Sequence, residues 1–162
     1  MQILNVAFGG NLYQDISLAC LPFENHRQDI SELCQVKHNI IIQDGSLMEK
    51  IFNGQKTMGV NSWHHQAVNI LAQNFKIDAY AEEGIIIEAF HYDGDPDQWI
   101  LGVQFHPEQF MRCGDGTFKP IFDEFIKQAI KKEMVIKICY KIFIFLLVLF
   151  LLYTFEGIIF YN

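Results

Sequence analysis

The chain has 162 residues, room for one ordinary domain, and its 51% hydrophobic and 19% charged content is globular, which excludes disorder and collagen-like repeats. Nineteen acids against twelve bases leave a net charge of −7, so no nucleic-acid partner is expected, because phosphate backbones are held by clustered Lys and Arg. The cysteines Cys20, Cys34, Cys113 and Cys139 show no CxxC spacing and are expected to be reduced thiols of a cytoplasmic protein.

Gln2 to Phe8 carries a helical pattern closed by Gly9-Gly10 as a C-cap, with no Ser, Thr, Asp or Asn to cap its start. Asn39 to Ile42 predicts a short strand ending at the Asp44-Gly45 turn. His64 to Phe75 is expected to be helical, with Ala67, Ile70 and Leu71 on one side and Asn61 or Ser62 as its cap. Ile85 to Phe90 and Trp99 to Phe105 are strand-like, and the polar loop Tyr92 to Asp97 suits a hairpin. Pro120 opens a last helix with an apolar stripe of Ile121, Phe122, Phe125, Ile126, Ala129 and Ile130. Mixed strands and helices predict an α/β fold.

Composition changes abruptly after Glu133. Residues 1–133 contain every His, Pro, Trp, Asp, Gln and Ala, whereas 22 of the 29 residues in 134–162 are Phe, Ile, Lys, Leu, Tyr or Asn. Two readings of this tail stay open. Ile138 to Phe155, with Lys141 snorkelling, is an apolar stretch of 18 residues near the lower limit for a membrane span. The lysines before it would keep the first part on the cytoplasmic side. Alternatively, all six residue types have codons made only of A and T, so an AT-rich genome read past a frameshift gives the same composition. The N-terminus shows no basic region followed by an apolar core, so no signal peptide is expected.

The strongest chemical signal is Gly102-Val-Gln-Phe-His-Pro-Glu108, in which an apolar strand delivers His106 to its end and Glu108 follows at i+2. In extended chain, i and i+2 share a side, so the carboxylate can fix the imidazole tautomer and leave the other nitrogen as a base. A surface salt bridge is the competing reading. In Val60-Asn-Ser-Trp-His-His-Gln66, the adjacent His64 and His65 should point to different sides, so no shared metal is expected. Asp93, Asp95 and Asp97 fail as a calcium loop, because Gln98 and Gln104 stand where Gly and Glu are required. Cys113 and Cys34 show no mark of a nucleophile.

These segments together resemble class I glutamine amidotransferase-like proteins of peptidase C26 type, specifically the γ-glutamyl-γ-aminobutyrate hydrolase branch. The resemblance runs in order through Asn5 to Asp15, Val60 to Gln66, Ala81 to Ala89 and Gly102 to Glu108, covering roughly residues 1–132. It implies the C-terminal portion of a flavodoxin-like α/β domain over residues 1–133, with a Cys-His-Glu triad whose last two members are His106 and Glu108. It also places Gln2, Ser62 and His64 near a substrate pocket for a small γ-glutamyl compound, with no cofactor. The family nucleophile, in a Gly-x-Cys-Arg-Gly-x-Gln pattern on a strand-to-helix elbow, has no counterpart here; Met1-Gln2 align with the last two positions of that pattern. The expectation is therefore an N-terminally truncated, inactive remnant, with the C-terminal half of a split hydrolase or a membrane-tethered binding module as alternatives.

Overall fold

A five-stranded antiparallel sheet carries the core of the computed structural model, which describes residues 1–19, 26–81 and 83–159. The strands are β1 (Asn11–Tyr13), β2 (His38–Ile42), β3 (Thr57–Val60), β4 (Ala67–Ile70), β5 (Phe75–Ala81), β6 (Ile87–Tyr92) and β7 (Leu101–Val103). The helices are α1 (Gln2–Ala7), α2 (Leu47–Ile51), α3 (Pro107–Arg112) and α4 (Lys119–Ile159). The main sheet has the order β3-β2-β5-β6-β7, and β1 pairs with β4 in a separate two-stranded ribbon. Helices and strands mix as an α/β chain should. The strand pairs described are all antiparallel, so the parallel strands of a flavodoxin-like sheet are not among them.

Period-two burial fixes the register of β2: His38, Ile40 and Ile42 point inward, while Asn39 and Ile41 point out. Ile40 and Ile42 pack with Met58 and Val60 of β3, Ala79 of β5 and Ala89 of β6. The same cluster takes in Met48, Phe52, Phe105, Phe110, Phe118 and Ile121. Phe118 is its aromatic centre, with ring centroids 5.0 Å from Phe105, 5.1 Å from Phe110 and 6.1 Å from Phe52. A second cluster joins Val68, Ala72, Phe75, Ile87 and Phe90. Gly102 lets β7 lie against this layer, since a Cβ there would stand 2.8 Å from the Phe90 ring.

Asn5 explains how the short α1 is anchored. Its buried side chain donates to the carbonyls of Asn11 (3.0 Å) and Ile70 (3.1 Å) and accepts from the N–H of Ala72 (2.8 Å), tying the helix to both strands of the ribbon. Gly9, at φ +95, turns the chain out of the helix as expected. Ser46 caps α2 through the N–H of Glu49, and buried Asp78 on β5 adds an acceptor for the N–H of Met48.

Three expectations are corrected. The segment His64 to Phe75 is not a helix: it holds β4, a turn, and the first residue of β5. Ala67, Ile70 and Leu71 have helical spacing, but backbone pairing with Leu12 and Tyr13 fixes this stretch as strand. Asn61 and Ser62 consequently cap no helix. Cys34 and Cys113 are not free thiols but a disulfide, with Cα atoms 6.1 Å apart across a sequence separation of 79. Cys139 is free and exposed, and Cys20 lies outside the described residues.

The chain divides into two compact units, Met1–Phe122 and Asp123–Asn162. Helix α4 runs unbroken through the composition change at residue 133. Of its expected stripe, Ile121 is buried, while Phe125, Ile126 and Ile130 are exposed. Among the described residues, no helix is long and apolar enough to cross a membrane. Side chains at 145 and 147–159, which make up most of the expected span, lie outside the described residues.

Candidate active site

Strand β7 ends at Val103, and His106 stands three residues later at the N-cap of α3, with φ −111 and ψ 80. Pro107 starts the helix with a fixed φ and without an N–H that would go unbonded. Glu108 therefore sits in the first helical turn, not in extended chain, and it meets His106 across the strand-to-helix junction. The contact is close: His106 Nδ1 lies 2.8 Å from Glu108 Oε1. A carboxylate only accepts, so Nδ1 carries the proton and Nε2 of the neutral ring is left with its lone pair. Both side chains reach solvent, His106 at 33% and Glu108 at 53% exposure, so Nε2 has access to an incoming group.

Asn61, which the sequence reading treats only as a helix cap, holds the histidine in place. Its Oδ1 accepts from the His106 N–H at 2.8 Å, and its Nδ2 donates to the His106 carbonyl at 2.9 Å and to the Leu33 carbonyl at 2.6 Å. Asn61 is fully buried just after β3, so the His106 backbone is gripped on both sides by one amide. The Trp63 ring stands beside the imidazole at 6.0 Å.

The other expected site residues occupy different ground. Gln2 on α1 donates to the Gln66 carbonyl at 2.9 Å and to Gln104 Oε1 at 3.3 Å, two residues before His106. Ser62 is buried; its hydroxyl donates to the His26 carbonyl at 2.5 Å, and its N–H donates to Gln28 Oε1 at 2.7 Å. His64 is also buried, with Nδ1 on the Gln66 carbonyl at 2.9 Å and Nε2 facing Glu88 Oε1 at 3.5 Å. His65 points elsewhere, to exposed Asp15 at 3.5 Å, so the two adjacent histidines do diverge.

His64 thus belongs to a buried group that no spacing rule singles out. Glu88 on β6 is fully buried, with His26, His38 and His64 nitrogens 3.4–3.5 Å from its Oε1 and Glu83 3.4 Å from the far side of His26. Burial pushes the Glu88 carboxyl up and the three imidazoles pull it down further, so it is held well below the ordinary carboxylate range. His26 moves up: burial lowers it, but Glu88 and Glu83 together outweigh that effect. One signal was available in the sequence, a single carboxylate inside the apolar run Ile85-Ile-Ile-Glu-Ala-Phe90.

Among the described residues of the first unit, no cysteine offers a free thiol to His106 Nε2, since Cys34 and Cys113 are consumed in the disulfide.

Comparison with known proteins finds relatives for most of the chain. A family model described as Peptidase C26 matches residues 1–108. Protein NtpR of Enterococcus hirae is 33% identical over 130 residues, which is 79% of this chain and 52% of that protein. The γ-glutamyl-γ-aminobutyrate hydrolase PuuD of Escherichia coli is 28% identical over 112 residues, 67% of this chain and 42% of that one. A glutamine amidotransferase structure from Thermotoga maritima superposes with a TM-score of 0.45 at 18% identity, covering 82% of this chain and 46% of the other. The chain spans about half the length of the curated relatives it matches. With the family model matching two thirds of its length, the chain belongs to the peptidase C26 family of glutamine amidotransferase-like proteins.

Proposed function

We propose that this chain carries the base and orienting carboxylate of a thiol-dependent γ-glutamyl amide hydrolase, and that its 162 residues alone do not turn over substrate. The carrying observation is the 2.8 Å contact between His106 and Glu108, braced by Asn61, with no free thiol among the described residues of the first unit. A Cys on a strand-to-helix elbow, supplied by a separate polypeptide segment, would complete the triad. His106 Nε2 would take the thiol proton as sulfur attacks the γ-glutamyl carbonyl, then give it to the departing amine. Water, deprotonated by the same nitrogen, would hydrolyse the thioester to glutamate and restore the thiol. Glu108 holds the tautomer throughout and stabilises the imidazolium that forms between the steps.

Glutamate release from glutamine and from γ-glutamyl-γ-aminobutyrate tests this. The isolated chain should show none above the buffer rate, and addition of a separately made Cys-bearing half of a relative should produce turnover that His106→Ala abolishes. Turnover by the isolated chain that survives His106→Ala would refute the assignment, and so would a mixture that forms a stable complex yet stays inert.

A further inference from the structure

The segment Asn61-Ser-Trp-His64 has two ends with different work. Asn61 grips His106, while His64 enters the buried cluster with His26, His38 and Glu88. These four residues come from four separate places: the stretch before the 3-10 turn Ile30–Glu32, the start of β2, the loop after β3, and β6. Most of their polar atoms are shut away from water and unpartnered. His26 Nε2, both nitrogens of His38, His64 Nε2 and both Glu88 oxygens have no hydrogen-bond partner of proper geometry. So many orphaned groups in one buried spot would be costly, since each has given up its hydration without a hydrogen bond in return, and a charged group gives up most.

The distances say what is missing. Three imidazole nitrogens stand 3.5, 3.4 and 3.5 Å from the single oxygen Glu88 Oε1. A charge-assisted N–H···O bond would draw each pair to about 2.7–2.9 Å. The edge of a tetrahedron of N and O ligands around zinc, with bonds of about 2.0–2.2 Å, is instead about 3.3–3.6 Å. The donor atoms of His26, His38 and Glu88 all lie within 4.8 Å of one another, so the widest gap has to close by about 1 Å on an ion of that bond length; His64 Nε2, 3.5 Å from Glu88 Oε1, lies outside that group of three and has to swing further in to become the fourth ligand.

Proton placement leads to the same conclusion. A carbonyl oxygen only accepts, so the 2.9 Å contact of His64 Nδ1 with the Gln66 carbonyl puts the proton on Nδ1 and leaves Nε2 of the neutral ring bare toward a carboxylate oxygen. A second ring proton or a metal cation must stand between these two lone pairs, and 3.5 Å is long for the charge-assisted hydrogen bond that the proton would make. His26 repeats the arrangement, with Nδ1 toward Glu88 and Nε2 toward the Glu83 carboxylate at 3.4 Å. An imidazole whose second nitrogen donates to a carbonyl or carboxylate is the usual outer-shell support of a metal ligand.

We propose that His26, His38, His64 and Glu88 form a closed, four-coordinate zinc site of structural type. Imidazole and carboxylate donors suit zinc better than calcium or magnesium, which take oxygen ligands. Four protein ligands leave no open position for water or substrate, so the ion is a staple and not a catalyst. It joins β2 and β6 to the two loops that frame His106, and it does not depend on the hydrolase proposal.

The test titrates the full untagged chain, stripped of metal by chelator, with Zn2+ alone and separately with Co2+. Elemental analysis should find one zinc per chain, zinc should raise the melting temperature or fold an unfolded apo chain, and Co2+ should give the intense visible bands of tetrahedral coordination. Glu88→Gln and His38→Ala should each weaken zinc binding by about 100-fold or more, while His65→Ala leaves it unchanged. If either variant fails to fold, the cobalt spectrum of the unaltered chain decides alone, and weak six-coordinate bands or none would overturn the site. Less than one zinc bound at about 100 µM, far above the dissociation constants of structural zinc sites, would overturn it as well.

Discussion

At the scale of single residues, the candidate site depends on neutral side chains as much as on charged ones. Asn61 makes three hydrogen bonds from a fully buried position, two of them to the backbone of His106. Asn61→Ala would leave an N–H and two carbonyls without their partner, so it should destabilise the first unit by about 2–4 kcal/mol in urea denaturation. A loss below about 1 kcal/mol would mean that water takes over those bonds and that the clamp is dispensable. Gly10 gives a second, steric case. A Cβ there would stand 2.3 Å from Asn5 Oδ1, and Asn5 cannot step aside because its amide is held by Asn11, Ile70 and Ala72. Gly10→Ala should therefore cost about 1–3 kcal/mol. Gly116→Ala, with nothing within 4 Å of the added Cβ, is the control and should melt within about 1 °C of the parent chain, as an unobstructed surface change does.

At the scale of elements, the disulfide connects the loop after the 3-10 turn Ile30–Glu32 to Cys113, the residue that closes α3. Because α3 carries Glu108 in its first turn, the bond fixes the far end of the helix that orients His106. Closing a loop of 79 residues restricts the unfolded chain, so reduction should lower stability by about 2–4 kcal/mol. The Cys34→Ser/Cys113→Ser pair should melt like the reduced parent. Thiol labelling under denaturing, non-reducing conditions should modify Cys139 and leave Cys34 and Cys113 unmodified, and labelling of those two would remove the bond. Sequence spacing could not reveal this pairing, because a separation of 79 positions says nothing about which loops meet. The same limit divides the legible elements from the misread ones. Helix α1, strand β2 with its Asp44-Gly45 turn, and the β6–β7 hairpin announce themselves through local periodicity and turn residues. Strand β4 does not, because its pairing with the three-residue β1 is a long-range event and its burial, two residues in and two out, matches neither period. His106 and Glu108 were legible as neighbours in sequence at a strand end. His26, His38, His64 and Glu88 were not, since only the folded sheet and its loops bring them together.

At the scale of the whole molecule, the core of the first unit closes within residues 1–122. Its largest cluster ends with Phe118 and Ile121, and every buried apolar side chain among the described residues precedes Phe122. Beyond that point α4 presents Phe125, Ile126, Ile130, Met134, Val135, Ile136 and Ile138 as exposed side chains. So many exposed apolar side chains on one helix favour self-association in water. A chain ending at Phe122 should therefore keep the cooperative melting transition of the first unit and run as a smaller, less aggregated species in size-exclusion chromatography. A chain ending at Asp115 should behave differently. It loses Phe118, which is wholly buried against Phe52, Phe105 and Phe110, and removing a core Phe side chain costs about 3–5 kcal/mol. That is a large share of the about 5–15 kcal/mol that holds a domain folded, so the cooperative transition should disappear. Equal melting of the two shortened chains would mean that Phe118 fills no essential space. Loss of the transition on cutting at Phe122 would mean that the second unit contributes to the stability of the first. The contrast between the two end points locates where the folded unit stops, and it does so through packing, independently of the composition change at residue 133.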